Sequence, residues 1–425
     1  MRLPVLSIEE VCSRQLCTGC GVCASVEPDR FRMGDALEYG RRPFVRDAAA
    51  AETGEAVKVC PGASLEHTFD PSDPELIGEL ANAWGPVYEV WEGYASDEAI
   101  RHAGSSGGAA TALALYCIEQ GGMGGALHIG ARADRPYLNE TVYSTGRDQL
   151  LANTGSRYAP ASPCDSLHLI EQAEKPSVFI GKPCDAAAVQ RARTIRPELD
   201  TKLGAVIAFF CAGAPSTRGT LELLKQVGVD DPDRVTSLRY RGKGWPGLWT
   251  VTWTDADGNE RTEQRTYAES WHFLQKYRQW RCYICPDHTG EFADIAVGDP
   301  WYREVQPGEA GKSLIIARTK RGRDIIHAAA EAGYITLETK DATLLPRSQP
   351  NLLHTRGGLW ARLKVLRLLG AAVPVYRGFE LFRFWRSELT LKDKVRSFTG
   401  TAKRVFRKRL RERVQVAEVF DGGER

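Results

Sequence analysis

Ser177-Val-Phe-Ile-Gly181-Lys-Pro-Cys184 and Leu203-Gly-Ala-Val-Ile-Ala-Phe-Phe-Cys211 are the stretches that decide the fold. Each opens with a short, continuously apolar run that suits a buried strand, and each is followed by a helical pattern, at 186–192 and 216–227. Strand followed by helix, repeated, predicts a mixed α/β fold. Upstream, Tyr88-Glu-Val-Trp-Glu-Gly-Tyr-Ala95 alternates like a strand, and 107–120 reads as an apolar helix opened by a Gly/Ser turn. Downstream, 235–267, with Trp249-Thr-Val-Thr-Trp-Thr254 and the turn Asp255-Ala-Asp-Gly258-Asn, reads as an inserted hairpin. No internal repeat is found.

Working outward, residues 1–80 form a small cysteine-bearing module with little periodicity, and the Pro-rich stretch 70–86 reads as its linker. Residues 81–170 and 171–350 are the two parts of the central α/β region. Residues 351–425 form a largely helical extension. The chain has 43% hydrophobic and 26% charged residues, ordinary for a globular protein, and no run of about 18 apolar residues. Met1 to Val11 does not read as a leader, so the expectation is a cytoplasmic protein. The net charge of +2 is uneven: residues 361–413 carry 16 Lys/Arg against 4 Asp/Glu. That excess marks a solvated or partner-facing segment. Residues 398–416 are expected to form a basic helix against an anionic membrane surface or a partner protein. No nucleic-acid partner is expected.

Eleven cysteines in a reducing compartment point to metal or redox chemistry, because a disulfide framework does not persist there. Cys17-Thr-Gly-Cys20-Gly-Val-Cys23 sets three thiolates at C-x2-C-x2-C spacing, and Cys60-Pro61 supplies a distant fourth. Three cysteines in a glycine-bearing loop can surround one face of a four-iron cubane, and the following proline belongs to the same bacterial ferredoxin pattern. Zinc is the rival, although the overlapping triple is unusual for it. Cys12, Cys17, Cys20 and Cys60 also fit a two-iron spacing, with Cys12 otherwise a buried or idle thiol. Cys184, Cys211, Cys282 and Cys285 are scattered. Their spacing fits a second cluster as well as it fits zinc held by Cys282, Cys285 and His288. Cys117 and Cys164 read as packing residues.

Gly104-Ser105-Ser106-Gly107-Gly108 opens a helix, and such a turn presents unpaired N–H groups that suit a phosphate or equally serves steric needs. Ser156, Arg157 and Tyr158 add polar groups and an arginine able to fork onto phosphate. Lys182, beside Cys184, could hold a pyrophosphate or the negative charge of a reduced flavin. Arg239-Tyr-Arg241-Gly-Lys243-Gly-Trp245 is a basic, aromatic loop suited to an anionic planar substrate or to an exposed rim. Asp299 is a candidate acid/base or a structural cap.

In this order, Cys17/Cys20/Cys23, Cys60-Pro, Gly-Ser-Ser-Gly-Gly, Gly-Ser-Arg-Tyr, Gly-Lys-Pro-Cys, Phe-Phe-Cys, Arg-Tyr-Arg-Gly, Cys-x-x-Cys and Ala293-Asp-Ile-Ala-Val-Gly-Asp299 resemble the beta subunits of coenzyme F420-reducing hydrogenases and dehydrogenases and their bacterial relatives. The resemblance implies a ferredoxin-like 4Fe-4S module, FAD in the central domain, and a second 4Fe-4S cluster on Cys184, Cys211, Cys282 and Cys285. It implies an oxidoreductase that exchanges electrons with ferredoxin or another redox protein and with a planar or deazaflavin acceptor of the F420 type. Lys182 and Asp299 are then the catalytic candidates, and a homo-oligomer and peripheral membrane contact are further expectations. The basic extension departs from the archaeal subunits.

Overall fold

The computed structural model describes residues 7–50, 53–306 and 308–419. Residues 1–6 of the stretch inspected for a leader and the last six residues of the extension lie outside the described residues. Eight strands form the central sheet, in the order Ile335–Lys340, Glu89–Ala95, Ser313–Ala317, Ile295–Gly298, Leu203–Phe209, Ser177–Gly181, Gly125–Ala131 and Asn139–Ser144. The four strands from Ile295–Gly298 to Gly125–Ala131 run parallel, and antiparallel strands flank them on both sides. Both fold-deciding runs are therefore central strands, side by side in register Phe179↔Val206 and Ile180↔Ile207. Helix Ala109–Glu119 packs on one face with Ile180, Ile207 and Ile315, and helix Pro183–Ala192 packs on the other with Phe179 and Val206.

Three features differ from the sequence reading. The inserted segment is a three-stranded antiparallel sheet, Val235–Arg239, Leu248–Thr254 and Glu260–Thr266, because Val235 and Leu238 join the buried face of Trp249 and Val251. The stretch read as a linker carries helix Gly78–Trp84, whose Leu80 and Trp84 are buried with Val90, Leu314 and Ile316 in the core of the sheet. The basic helix spans Leu391–Arg407. Arg409, at φ 51°, turns the chain out of it so that Leu410 is buried, and the segment beyond runs along the N-terminal module. There the Val414 N–H donates to Ser13 O at 2.8 Å, and Arg32 grips Glu418 through two 2.6 Å bonds.

The extension is thus a clamp. Leu359, Leu363 and Leu366 of helix Leu352–Leu368 share one apolar core with Cys17, Cys23 and Cys60 of the N-terminal module. At ~1.5–3 kcal/mol for each fully buried aliphatic side chain, these three alone hold the two ends of the chain together. Strand Val375–Arg377 pairs in parallel with Ser64–Glu66. No described helix is long and apolar enough to cross a membrane.

A buried polar knot ties module, core and extension. His67 Nε2 lies 2.6 Å from Glu291 Oε2, the other Glu291 oxygen accepts from Arg356, and the His67 ring stacks on Phe292 and leans on Phe379. Burial drives the His67 pKa down to about 3, so the imidazole is neutral when folded. An unfolded His titrates near 6.5, so the unfolded chain binds the extra proton first. Stability contributed by neutral burial is complete above pH 6.5 and is lost as pH falls toward 3, at up to about 1.4 kcal/mol per unit. Denaturant unfolding at pH 7.0 and 5.5 is expected to show this loss in the wild type. His67→Gln, which keeps an N–H donor for Glu291, is expected to show a smaller loss; equal slopes would contradict the assignment.

Candidate cofactor site

The sheet brings the scattered motifs to one edge. Lys182-Pro-Cys184 follows Ser177–Gly181, Cys211 follows Leu203–Phe209, and Asp299 follows Ile295–Gly298. These strands are adjacent and parallel, so all three loops leave from the same end of the sheet. The loop bearing Cys282 and Cys285 is laced onto that edge. Ala214 N–H donates to Cys282 Sγ at 3.4 Å, Cys211 N–H to His288 O at 2.9 Å, and Gln279 N–H to Ala214 O at 3.2 Å. Gly213 must be glycine here, since its φ is 118° and a Cβ would stand 2.2 Å from the Arg278 side chain.

Cys184, Cys211, Cys282 and Cys285 line one cavity with Lys182, Arg281, His288 and, from the N-terminal module, Cys17 and Thr18. Burial pushes the Cys211 thiol up to about 12 and the Cys285 thiol up to about 11. Thiolates in this cavity therefore need a bound electrophile. Among the described residues, no three His, Cys, Asp or Glu side chains gather closely enough for a single metal ion. His288 Nδ1 is engaged 2.7 Å from Cys211 O, and its Nε2 is buried without a partner. Two cations complete the setting. Arg281 and Arg42 are almost wholly buried, neither forms a salt bridge among the described residues, and the Nε of each lacks a partner. Arg281 reaches Pro61 O at 3.0 Å, next to Cys60, and Arg42 reaches Gln279 at 2.9 Å. Buried cations beside buried cysteines fit an anionic cluster better than neutral thiols.

The first quartet is buried in the module. Cys17, Cys20, Cys23 and Cys60 are each under 10% exposed, and Gly19 N–H donates to Cys17 Sγ at 3.3 Å. Burial pushes the Cys60 thiol up to about 12. Cys20 differs: a hydrogen bond from Cys164 holds its pKa below the ordinary value. Cys164, read as a packing residue, is therefore also a neighbour of the quartet, and its N–H donates to Cys20 O at 2.9 Å. Cys117 is a core residue as expected, and Cys12 is buried. Gly21 has φ 93° and would place a Cβ 2.7 Å from Asp165 N.

The glycine loop, the Ser156–Tyr158 loop, the Arg239–Trp245 loop and Asp299 meet at the same sheet edge. Ser156 N–H donates to Ser105 Oγ at 2.6 Å, and Gly107 N–H to Ser313 Oγ at 2.9 Å. Arg241 forks onto Asp299 with two 2.8 Å bonds and also reaches Ser105 O and Tyr158 OH. Trp245 Nε1 donates to Asp299 at 3.0 Å, and Tyr267, Trp301 and Trp245 stack beside the pair. Two expectations change. Arg157 is spent on Asn139 Oδ1 and the carbonyls of Leu238, Pro136 and Leu138, so it buttresses the loop and its guanidinium is committed away from any phosphate. Asp299 accepts hydrogen bonds from both Arg241 terminal nitrogens and from Trp245, so its carboxylate is tied into the loop. Lys182 belongs to the cysteine cavity. Burial opposes its charge, but Asp185 at 2.6 Å outweighs this and raises its pKa, so it stays an ammonium.

Fold and donor set define an iron-sulfur oxidoreductase. Residues 90–168 and 175–343 match the N-terminal and C-terminal models of the coenzyme F420 hydrogenase/dehydrogenase beta subunit, and residues 11–66 match the 4Fe-4S single cluster domain. The chain belongs to the coenzyme F420 hydrogenase/dehydrogenase beta-subunit family. It is 28% identical to the F420-dependent formate dehydrogenase 1 subunit beta of Methanococcus maripaludis, over 58% of this chain and 60% of that one. It is 25% identical to the coenzyme F420 hydrogenase subunit beta of Methanothermobacter thermautotrophicus, over 60% of this chain and 85% of that one. A chain of the F420-reducing [NiFe] hydrogenase complex from Methanosarcina barkeri shares the fold, with a TM-score of 0.50 at 21% identity, over 68% of this chain and 94% of that one.

Gly21→Ala is expected to strain the first cysteine loop and to lower bound iron by about four atoms per chain. Iron and sulfide analysis of anaerobically purified protein, with circular dichroism confirming the fold, checks this; unchanged iron would show that the loop tolerates a side chain.

Proposed function

We propose that this chain passes electrons between a ferredoxin-like protein and a planar or deazaflavin acceptor of the F420 type, through two 4Fe-4S clusters and one FAD. The observation that carries the reading is the shared cavity: Cys17 of the first quartet borders the space ringed by the whole second quartet. Two clusters held by these eight cysteines would be neighbours, with Arg281 and Arg42 beside them as fixed positive charge. A flavin supplies the exchange between one-electron carriers and a two-electron acceptor, which is its own chemistry. The chain's part is to hold and orient. In this reading Gly104–Gly108 and Ser156 form the cradle for the flavin phosphates, and the Arg241–Asp299 pair fixes the loop that carries Trp245 next to them. Tyr267 and Trp301 give flat faces for a planar partner, and the Lys182 ammonium keeps a positive charge beside Cys184. The relatives' names support the F420-type acceptor, and the flavin rests on the family resemblance of the glycine and Gly-Ser-Arg-Tyr motifs.

Analysis of anaerobically purified protein is expected to give about eight iron atoms and one flavin per chain, and Cys184→Ser to remove about four of the iron atoms. Reduction of F420 by the purified chain with reduced ferredoxin separates an enzyme from a relay subunit, which would turn over only with its partner. Four iron atoms in the wild type, or no flavin, would sink the proposal.

A further inference from the structure

Helix Leu391–Arg407 has two unlike faces. Its inner face is fixed: Val405, with Leu410 just beyond the helix, is buried in the apolar core that contains Cys17, Cys23 and Cys60. Its outer face carries two parallel stripes. Leu391, Val395 and Phe406 stand 82%, 62% and 62% exposed. One position on, at i, i+4, i+11 and i+15, Lys392, Arg396, Lys403 and Arg407 are exposed, and no salt bridge engages them among the described residues. Of the ten exposed large apolar side chains in the structure, seven lie between Leu368 and Val419. A globular protein rarely concentrates apolar surface in this way without a partner for it.

Resting on the iron-sulfur reading above, we infer that this face is the dock for an acidic one-electron carrier protein. A 17-residue helix is about 25 Å long, which suits the small interfaces of transient electron-transfer complexes. Unpaired basic groups steer an acidic partner, and the apolar stripe excludes water once it arrives. Position selects the carrier over a lipid surface. The helix packs on helix Leu352–Leu368, whose leucines share the apolar core of the first cysteine quartet, so a protein seated on its outer side lies on the N-terminal 4Fe-4S side of the chain. A bilayer would gain nothing from that placement. In each encounter one electron leaves the carrier, which is oxidised, and enters the chain at that site, which is reduced by one; no bond or proton changes hands.

The test is stopped-flow reduction of the anaerobic full-length protein by a reduced, net-negative bacterial ferredoxin, at low and high salt, with dithionite as a small-molecule control. The quadruple variant Lys392→Glu, Arg396→Glu, Lys403→Glu, Arg407→Glu is expected to slow ferredoxin reduction at least tenfold at low salt and to flatten the salt dependence. Its iron content and its reduction by dithionite are expected to match the wild type. Leu391→Ser with Phe406→Ser is expected to weaken the complex with the salt dependence retained. Equal ferredoxin rates in variant and wild type would overturn the dock, as would a wild type that dithionite reduces and ferredoxin does not. Flotation with phosphatidylglycerol vesicles that the quadruple variant loses, beside an unchanged ferredoxin rate, would assign the face to a membrane instead. A protein without iron fails differently: it shows no dithionite bleaching at all and sinks the underlying reading.

Discussion

Arg281 and Arg42 are buried guanidinium groups with no carboxylate among the described residues to balance them, and the architecture around them follows from that. An uncompensated charge in a protein interior costs several kcal/mol, so the fold is sound only with negative charge supplied nearby. The cysteines stand where that charge belongs. Cys17, from the module, faces Arg42 and Arg281, while Cys184, from a sheet loop, and Cys282 and Cys285, from the segment after the inserted sheet, face Arg281. Holding ligands from such distant segments demands external bracing. The extension provides it: Arg356 reaches Pro286 O at 2.9 Å, Arg362 reaches Tyr283 O at 2.9 Å, and Tyr376 OH reaches Ile284 O at 2.7 Å. Each bond fixes the backbone of the loop that carries Cys282 and Cys285.

The parts of this arrangement that were legible in the sequence are those encoded by local pattern. Continuous apolar runs at Val178 and Val206 gave the central strands, because a strand buried on both faces has no polar side to show. The tight triplet of Cys17, Cys20 and Cys23 announced its own chemistry, whereas Cys184 and Cys211 needed family motifs, since their proximity is a property of the sheet and not of spacing. The partners of Arg157 were hidden for the same reason: a guanidinium forks onto carbonyls as readily as onto phosphate, and only the tertiary structure supplies the carbonyls of Leu238, Pro136 and Leu138. The knot of His67, Glu291 and Arg356 left no signal at all. Its members are 224 and 65 residues apart in sequence, each unremarkable alone. The basic extension was visible as charge, but the leucines that make it a clamp follow an ordinary helical period and name no partner.

The nest around Arg241 illustrates a division of labour suited to redox proteins. Asp299, Arg241 and Trp245 spend their hydrogen bonds on one another, so they offer rigidity to whatever lies beside them. Paired charges of this kind keep a loop in one geometry, because moving it would leave both partners unpaired. Lys182 and Asp185 are arranged likewise beside Cys184. The protein's contribution at this sheet edge is a set of fixed charges and flat surfaces.

The parallel pairing of Ser64–Glu66 with Val375–Arg377 also orders events in time. The two strands are about 310 residues apart, so the second is translated well after the first. At 5–20 residues per second, the N-terminal module waits roughly 15 to 60 s on the ribosome before the strand that closes it exists. During that interval Cys60 and its neighbours lack the leucines of helix Leu352–Leu368 that later cover them. Until that strand and helix exist, the apolar side of the first quartet has no cover from the extension.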